Sequence, residues 1–168
     1  QAEHPAHRAT PMMRVQVDQS GLAVRLSGLD AGLRDLRPVW NDVSMILTEM
    51  VKRHLQSQGS YSGETWVPLS PRYAAWKRAH YPGKPLMRLR DRLYKSLTTK
   101  SADHVDRRGP SFFEWGTKVP YARAHHWGNP ASNLPVRKVI PRLTRNEGEQ
   151  ISDAVLAHLL RRARRGGR

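Results

Sequence analysis

Cysteine is absent from this chain, which rules out disulfides and every cysteine-based metal site and fits a reducing compartment. Large apolar residues are scarce as well: hydrophobic residues make up 38%, low for a globular domain, so a modest core with polar surface or tails is expected. The longest apolar runs are only a few residues, too short for a membrane span. The first twelve residues contain no apolar stretch of signal-peptide length, so export by that route is not expected. Acidic residues are the third shortage. Against 14 Asp and Glu stand 29 Lys and Arg, a formal net charge of +15. Such an excess favours polyanions, nucleic acid first, or an acidic protein neighbour.

What is present fits one domain. Residues 1–12 read as a flexible N-terminal arm, 13–160 as a single α+β domain, and 161–168 as a basic C-terminal tail. Val15 and Val17, the turn at Gln19-Ser20-Gly21, then Leu22, Val24 and Leu26 have the period of two of a β-hairpin. From Asp30 to about Gln58 the period lengthens. Leu33, Leu36, Trp40, Val43, Leu47, Met50 and His54 form one helical stripe, widened by Val39, Ile46, Val51 and Leu55. Pro38 either kinks that helix or opens its main part.

After a polar loop at Gly59–Glu64, Ser70-Pro71 reads as an N-cap with proline at the first helical position, opening a helix through about His80. Pro82-Gly83 ends it. Leu86, Leu89, Leu93 and Leu97, with Met87 and Tyr94, give a second helical stripe. Phe112, Phe113 and Trp115 lie in weakly β sequence around a Gly109-Pro110 turn. Tyr121–Gly128 reads as a glycine-ended helix, and Val136–Ile140 as a short strand. Thr144 and Glu147 have capping-box spacing before a last helix with the stripe Ile151, Ala154, Val155, His158 and Leu159. The fold expected is a small antiparallel sheet packed by a long amphipathic helix and a C-terminal helix, with flexible basic termini.

The residues offer little chemistry. His125 and His126 are adjacent and so do not face one site; one is expected to pack and the other to be solvated. No carboxylate sits at ligand spacing from them, and Glu114 and His80 could approach only through the fold. Ser70 and Ser96 lack a nucleophile-elbow setting, and the carboxylates are scattered. Neither catalysis nor a cofactor is expected.

The basic stretch Arg72–Lys100 (Arg72, Lys77, Arg78, Lys84, Arg88, Arg90, Arg92, Lys95, Lys100, against Asp91) is interleaved with Tyr73, Trp76, Tyr81 and Tyr94. Such an arrangement could stack bases. Tyr73 and Trp76, three apart, are instead expected to face the core with Trp66. Arg161, Arg162, Arg164, Arg165 and Arg168 form a tail expected to be frayed, with a polyanion or a neighbouring subunit as its partner.

Several separated motifs carry a resemblance. They are Trp66, Pro68, Leu69, Ser70, Pro71, Tyr73, Ala74 and Lys77 in W-V-P-L-S-P-R-Y-A-A-W-K, with Trp76 between; Pro85 and Leu86 in K-P-L; and Leu93, Ser96 and Leu97. Trp115, Gly116 and Thr117 follow, then Tyr121, Ala122, His125 and Gly128, then Leu134, Pro135 and Arg137. In this order and spacing, across about Leu29–Leu159, the chain resembles the phage virion morphogenesis family, which includes tail-completion proteins of tailed bacteriophages. One departure stands out: where relatives carry Thr-Gly, this chain has Arg90-Asp91, and the helix is expected to run through.

The resemblance implies a structural protein of the virion, at the neck where tail meets head connector. It implies a homo-oligomeric ring through which genomic DNA passes, in contact with neighbouring neck and tail proteins and assembled in the bacterial cytoplasm. No cofactor and no membrane contact are implied. The alternative from the residues alone is a basic, non-specific nucleic-acid-binding protein.

Overall fold

A computed structural model describes residues 12–16 and 30–166, with side chains over 32–162. The central apolar stripe folds as its spacing requires, in two pieces. Helix α1 (Asp30–Arg34) and a 3-10 turn (Arg37–Val39) precede the long helix α2 (Trp40–Gln56). Pro38 lies in the 3-10 turn, so it opens the main helix and does not kink it. Leu33, Leu36, Trp40, Val43, Leu47, Met50 and His54 are all buried, as are Val39, Val51 and Leu55. Each fully buried aliphatic side chain contributes about 1.5–3 kcal/mol.

The sheet has three antiparallel strands in the order β1 (Met12–Gln16), β3 (Phe112–Thr117), β2 (His104–Arg108). Central β3 is buried from Phe113 to Thr117: it is paired on both edges, helix α4 (Arg92–Thr98) packs on it, and Trp40 of α2 stacks on Phe113. Strands β2 and β3 form the expected hairpin around Gly109-Pro110. A Cβ on Gly109 would fall 2.1 Å from the Phe112 ring, so any larger residue there must push that ring aside. Trp40 locks helix to sheet. Its Nε1 donates to the Gly109 carbonyl at 2.7 Å, and its ring stacks on Phe113 at 5.7 Å.

Strand β1 pairs with β3, Met12 opposite Gly116 through Gln16 opposite Phe112. It therefore serves as a sheet edge to a distant strand. The second arm of the expected N-terminal hairpin, residues 22–26, lies outside the described residues, as does the expected arm apart from Met12.

Helix α3 (Pro71–His80) runs as its proline start and Pro82-Gly83 stop require. The next stripe is corrected. Helix α4 covers only Arg92–Thr98, because Met87 (φ 67°) and Asp91 (φ 58°) take left-handed backbone. Leu93 and Leu97 are buried on α4, while Leu86, Met87 and Leu89 are half-buried in a loop before it. The helix expected to run through Arg90-Asp91 starts there instead.

Helix α5 (Pro120–Trp127) ends at Gly128, φ 75°. The strand expected at Val136–Ile140 does not form. Its polar backbone groups are taken by helix ends and side chains: Arg137 N–H donates to the His125 carbonyl at 2.7 Å, and Val139 N–H to His126 Nδ1 at 3.2 Å.

Helix α6 (Arg145–Gly166) packs on α1 and α2. Thr144 N–H donates to Glu147 Oε2 at 3.1 Å, half of the expected capping box. The Thr144 and Tyr61 hydroxyls also donate to that carboxylate. Ile151, Ala154 and Val155 pack on the core, and His158 and Leu159 are buried. The helix continues through Gly166, so the backbone of Arg161, Arg162, Arg164 and Arg165 is helical and not frayed; Arg168 lies outside the described residues. Among the described residues no helix is long and apolar enough to cross a membrane.

Candidate functional site

The motif residues converge where α3, the loop before α4, α5 and the 134–140 segment meet. Trp66 is buried, its Nε1 donating to the Lys138 carbonyl at 2.9 Å. The same carbonyl lies 2.8 Å from His54 Nε2, so that nitrogen carries the proton, since a carbonyl only accepts. The Trp66 and His54 rings meet edge to face at 5.4 Å.

Arg137 is 4% exposed. Its guanidinium donates from Nε to the Val67 carbonyl at 2.8 Å and from Nη2 to that of Pro68 at 3.1 Å. The segment leading into α3 is thereby held at Val67 and Pro68. Ser70 makes no side-chain cap bond; its carbonyl accepts from Ala74 N–H at 2.8 Å, and Pro71 supplies the helical start. Lys77 is 5% exposed and donates to the Pro85 carbonyl beside Leu86. Both cations are buried against carbonyls, and burial pulls the pKa of each below its ordinary value.

Above them lies a groove of about 490 Å³, with Leu69, Tyr73, Leu89 and Tyr121 in its lining together with Lys77, His125 and Arg137. Tyr121 meets His125 edge to face at 6.2 Å. His125 is half-buried and its Nδ1 has no hydrogen-bond partner among the described residues. Burial, and then the Arg137 charge, hold its pKa below the usual histidine value. His126 packs inward, its pKa pushed down to about 4 by burial. Only the first half of the expected histidine division is met, since His125 is not solvated.

Asp91 takes Lys84 Nζ and Arg88 Nε, each at 2.7 Å. The Arg88 bond, then the Lys84 bond, lowers its pKa to about 2.

The remaining motif residues are structural. The Ser96 and Thr117 hydroxyls lie 2.7 Å apart, Ser96 donating to the Leu93 carbonyl and Thr117 accepting from Val119 N–H. Trp115, Gly116 and Ala122 are buried beside them. Pro135, half-buried, leads from Leu134 to Arg137. Glu114 pairs with Arg107 at 3.1 Å, while the His80 Nδ1 sits 2.8 Å from the Trp76 carbonyl.

Tyr73 and Trp76 are not in the core. They are 39% and 43% exposed. The face of α3 turned inward bears Ala74 and Lys77, so Trp76 and His80 fall on the outside and Tyr73 lies at the rim of the groove. There Tyr73 stacks on Trp76 at 5.4 Å, and Trp76 on His80 at 4.8 Å. The basic track is also thinner than its sequence. Lys77 is buried, Lys84 and Arg88 serve Asp91, and Arg92 grips Asp103 with two bonds of 2.7 and 2.9 Å. Arg72, Arg78, Arg90, Lys95 and Lys100 remain exposed. Among the described residues no three His, Cys, Asp or Glu are placed to hold a metal.

Residues 17–160 match the phage virion morphogenesis family. The chain belongs to that family. The match spans the groove and all its motif residues, and the family is one of phage virion structure and assembly. No curated protein and no solved structure matches the chain. Asp91 stands where the resemblance leads one to expect glycine. It adopts the left-handed backbone that glycine takes freely, so the turn is kept.

Sequence reasoning missed the Lys138 carbonyl clamp and the Glu147–Tyr61 contact. Only His54 gave a signal, as a polar residue in register on an apolar stripe.

Proposed function

We propose that the chain is a neck subunit of a tailed-phage virion, a tail-completion or head–tail connector protein that closes a homo-oligomeric ring around the path of the DNA. Its role is assembly and not turnover, and no cofactor takes part. The observation that carries this reading is a pair of unlike apolar patches on one small domain. One is the Tyr73–Trp76 face of α3. The other is the outer face of α6, where Leu156 and Leu160, four apart, are 54% and 49% exposed. A closed ring needs two different patches on each subunit, repeated head to tail, and aromatic residues are typical anchors of such contacts. Arg161 and Arg162, exposed just beyond Leu160, would meet an acidic neighbour at the ring's edge or DNA in the lumen.

Light scattering on the purified protein and two variants tests this. Wild type forms a closed oligomer, whereas Trp76→Glu and Leu160→Glu each stay monomeric. An equimolar mixture of the variants retains one good interface and yields dimers. A wild-type protein that stays monomeric at every concentration and salt would count against the ring.

A second reading, a non-specific nucleic-acid-binding protein, is favoured by the same exposed ladder with Arg72 and Arg78 beside it. It requires DNA binding by the monomer that falls steeply with salt and is lost in Trp76→Ala.

A further inference from the structure

We infer that the groove between α3, the loop before α4 and α5 is a docking site for an acidic segment of another protein, one that inserts a large apolar side chain flanked by carboxylates. The groove needs neither ring nor neck for this role.

Three observations lead there. The lining is largely apolar, with Leu69, Leu86, Met87 and Leu89 beside Tyr73 and Tyr121, and a space of about 490 Å³ accommodates an aromatic or branched side chain with its backbone. Next, five cations line it (Lys77, Arg88, Arg90, Arg92 and Arg137); Arg88 is paired with Asp91 and Arg92 with Asp103, which leaves Lys77, Arg90 and Arg137 with no carboxylate partner among the described residues. Lys77 and Arg137 are buried with only backbone carbonyls as hydrogen-bond acceptors among the described residues. A charge buried that way gains most from an incoming carboxylate. Lastly, the His125 Nδ1 is out of water and without a hydrogen-bond partner among the described residues, and a buried nitrogen without a partner is rare enough to mark a place for one.

A second copy of the chain is a poor occupant. It carries +15 overall, with 14 acidic residues in all, and Asp35, Glu49, Asp91, Asp103, Asp106, Glu114 and Glu149 are tied into ion pairs within the fold. A different, acidic chain matches the charge.

The test uses the full chain and a fluorescein-labelled hexapeptide, Glu-Glu-Phe-Leu-Glu-Glu, with two controls: Lys in place of every Glu, and Ser in place of Phe and Leu. The acidic apolar peptide is expected to bind at least about tenfold more tightly than either control, a difference of about 1.4 kcal/mol, and to shift the His125 ring resonances. Leu89→Asp and Arg90→Glu, both at the groove and outside the buried core, should each weaken it about fivefold to tenfold while melting like wild type. Met45→Ala, at an exposed position of α2 away from the groove, should leave binding unchanged.

Equal binding of the three peptides would overturn the inference, as would affinity indifferent to both groove variants or resonances of His125 that stay still. Displacement of the peptide by a short single-stranded DNA that moves the same His125 resonances would overturn it in favour of a phosphate site.

Discussion

Replacing Arg137 with alanine removes the side chain that holds the Val67 and Pro68 carbonyls. Hydrogen bonds from a charged donor contribute about 1.5–3 kcal/mol each, so two are worth about 3–6 kcal/mol before relaxation. Two effects reduce that. The Val67 and Pro68 side chains are exposed, so water can reach the released carbonyls, and folding no longer strips water from a cation. A net loss of about 2–4 kcal/mol remains. At about 2–4 °C per kcal/mol for a domain of this size, Tm should fall by roughly 10 °C in calorimetry or circular dichroism. Arg137→Lys, with a single nitrogen to offer, should recover about half. If the alanine variant melts within about 2 °C of wild type, Arg137 is not the anchor of this segment. If lysine restores full stability, charge and not the two-pronged geometry is what matters.

Trp40→Ala, at a fully buried ring, should cost about 3–5 kcal/mol, whereas Trp76→Ala should move Tm by no more than about 2 °C; comparable losses would mean that α3 is seated with the opposite face inward. His54, His125 and His126 all have folded pKa values held below the ordinary 6.5, chiefly by burial. The unfolded chain therefore binds more protons below that value, and stability, full above pH 6.5, declines as pH falls toward His126's value of about 4. The slope is up to about 1.4 kcal/mol per pH unit per histidine, and urea midpoints that stay flat from pH 7 to 5 would refute it. At Asp91, left-handed backbone adds strain to any residue with a Cβ. Asp91→Ala should thus be about 1 kcal/mol less stable than Asp91→Gly, although both lose the Lys84 and Arg88 pairs; equal stability would remove backbone conformation from the explanation.

Much of the scaffold could be read from spacing alone. The stripe from Leu33 to His54 buries as a period of 3.6 demands, and Gly109-Pro110, Pro71 and Gly128 mark real turns and helix ends. Failures arose where spacing is silent about a partner. Tyr73 and Trp76 do stack on one another, but spacing cannot say which face of α3 turns inward; Ala74 and Lys77 do, with Lys77 on the Pro85 carbonyl. Residues 136–140 have strand-like sequence, yet the backbone groups are claimed by His125 and His126 before any strand can pair with them. Between Leu86 and Leu97 the apolar positions keep helical spacing across Met87 and Asp91, whose left-handed backbone breaks the helix. At the site, the motif residues could be named from sequence but not their roles. That Lys77 and Arg137 would be buried cations lining a shared groove depends on segments sixty residues apart.

The central claim, a ring subunit in the virion neck, is tested most directly by quantitative mass spectrometry of purified, intact particles. The account predicts that the chain is a stoichiometric component of every particle, at a small fixed copy number equal to one ring or a whole multiple of it. Its absence from particles, with the protein found only in infected-cell lysate, would contradict the claim.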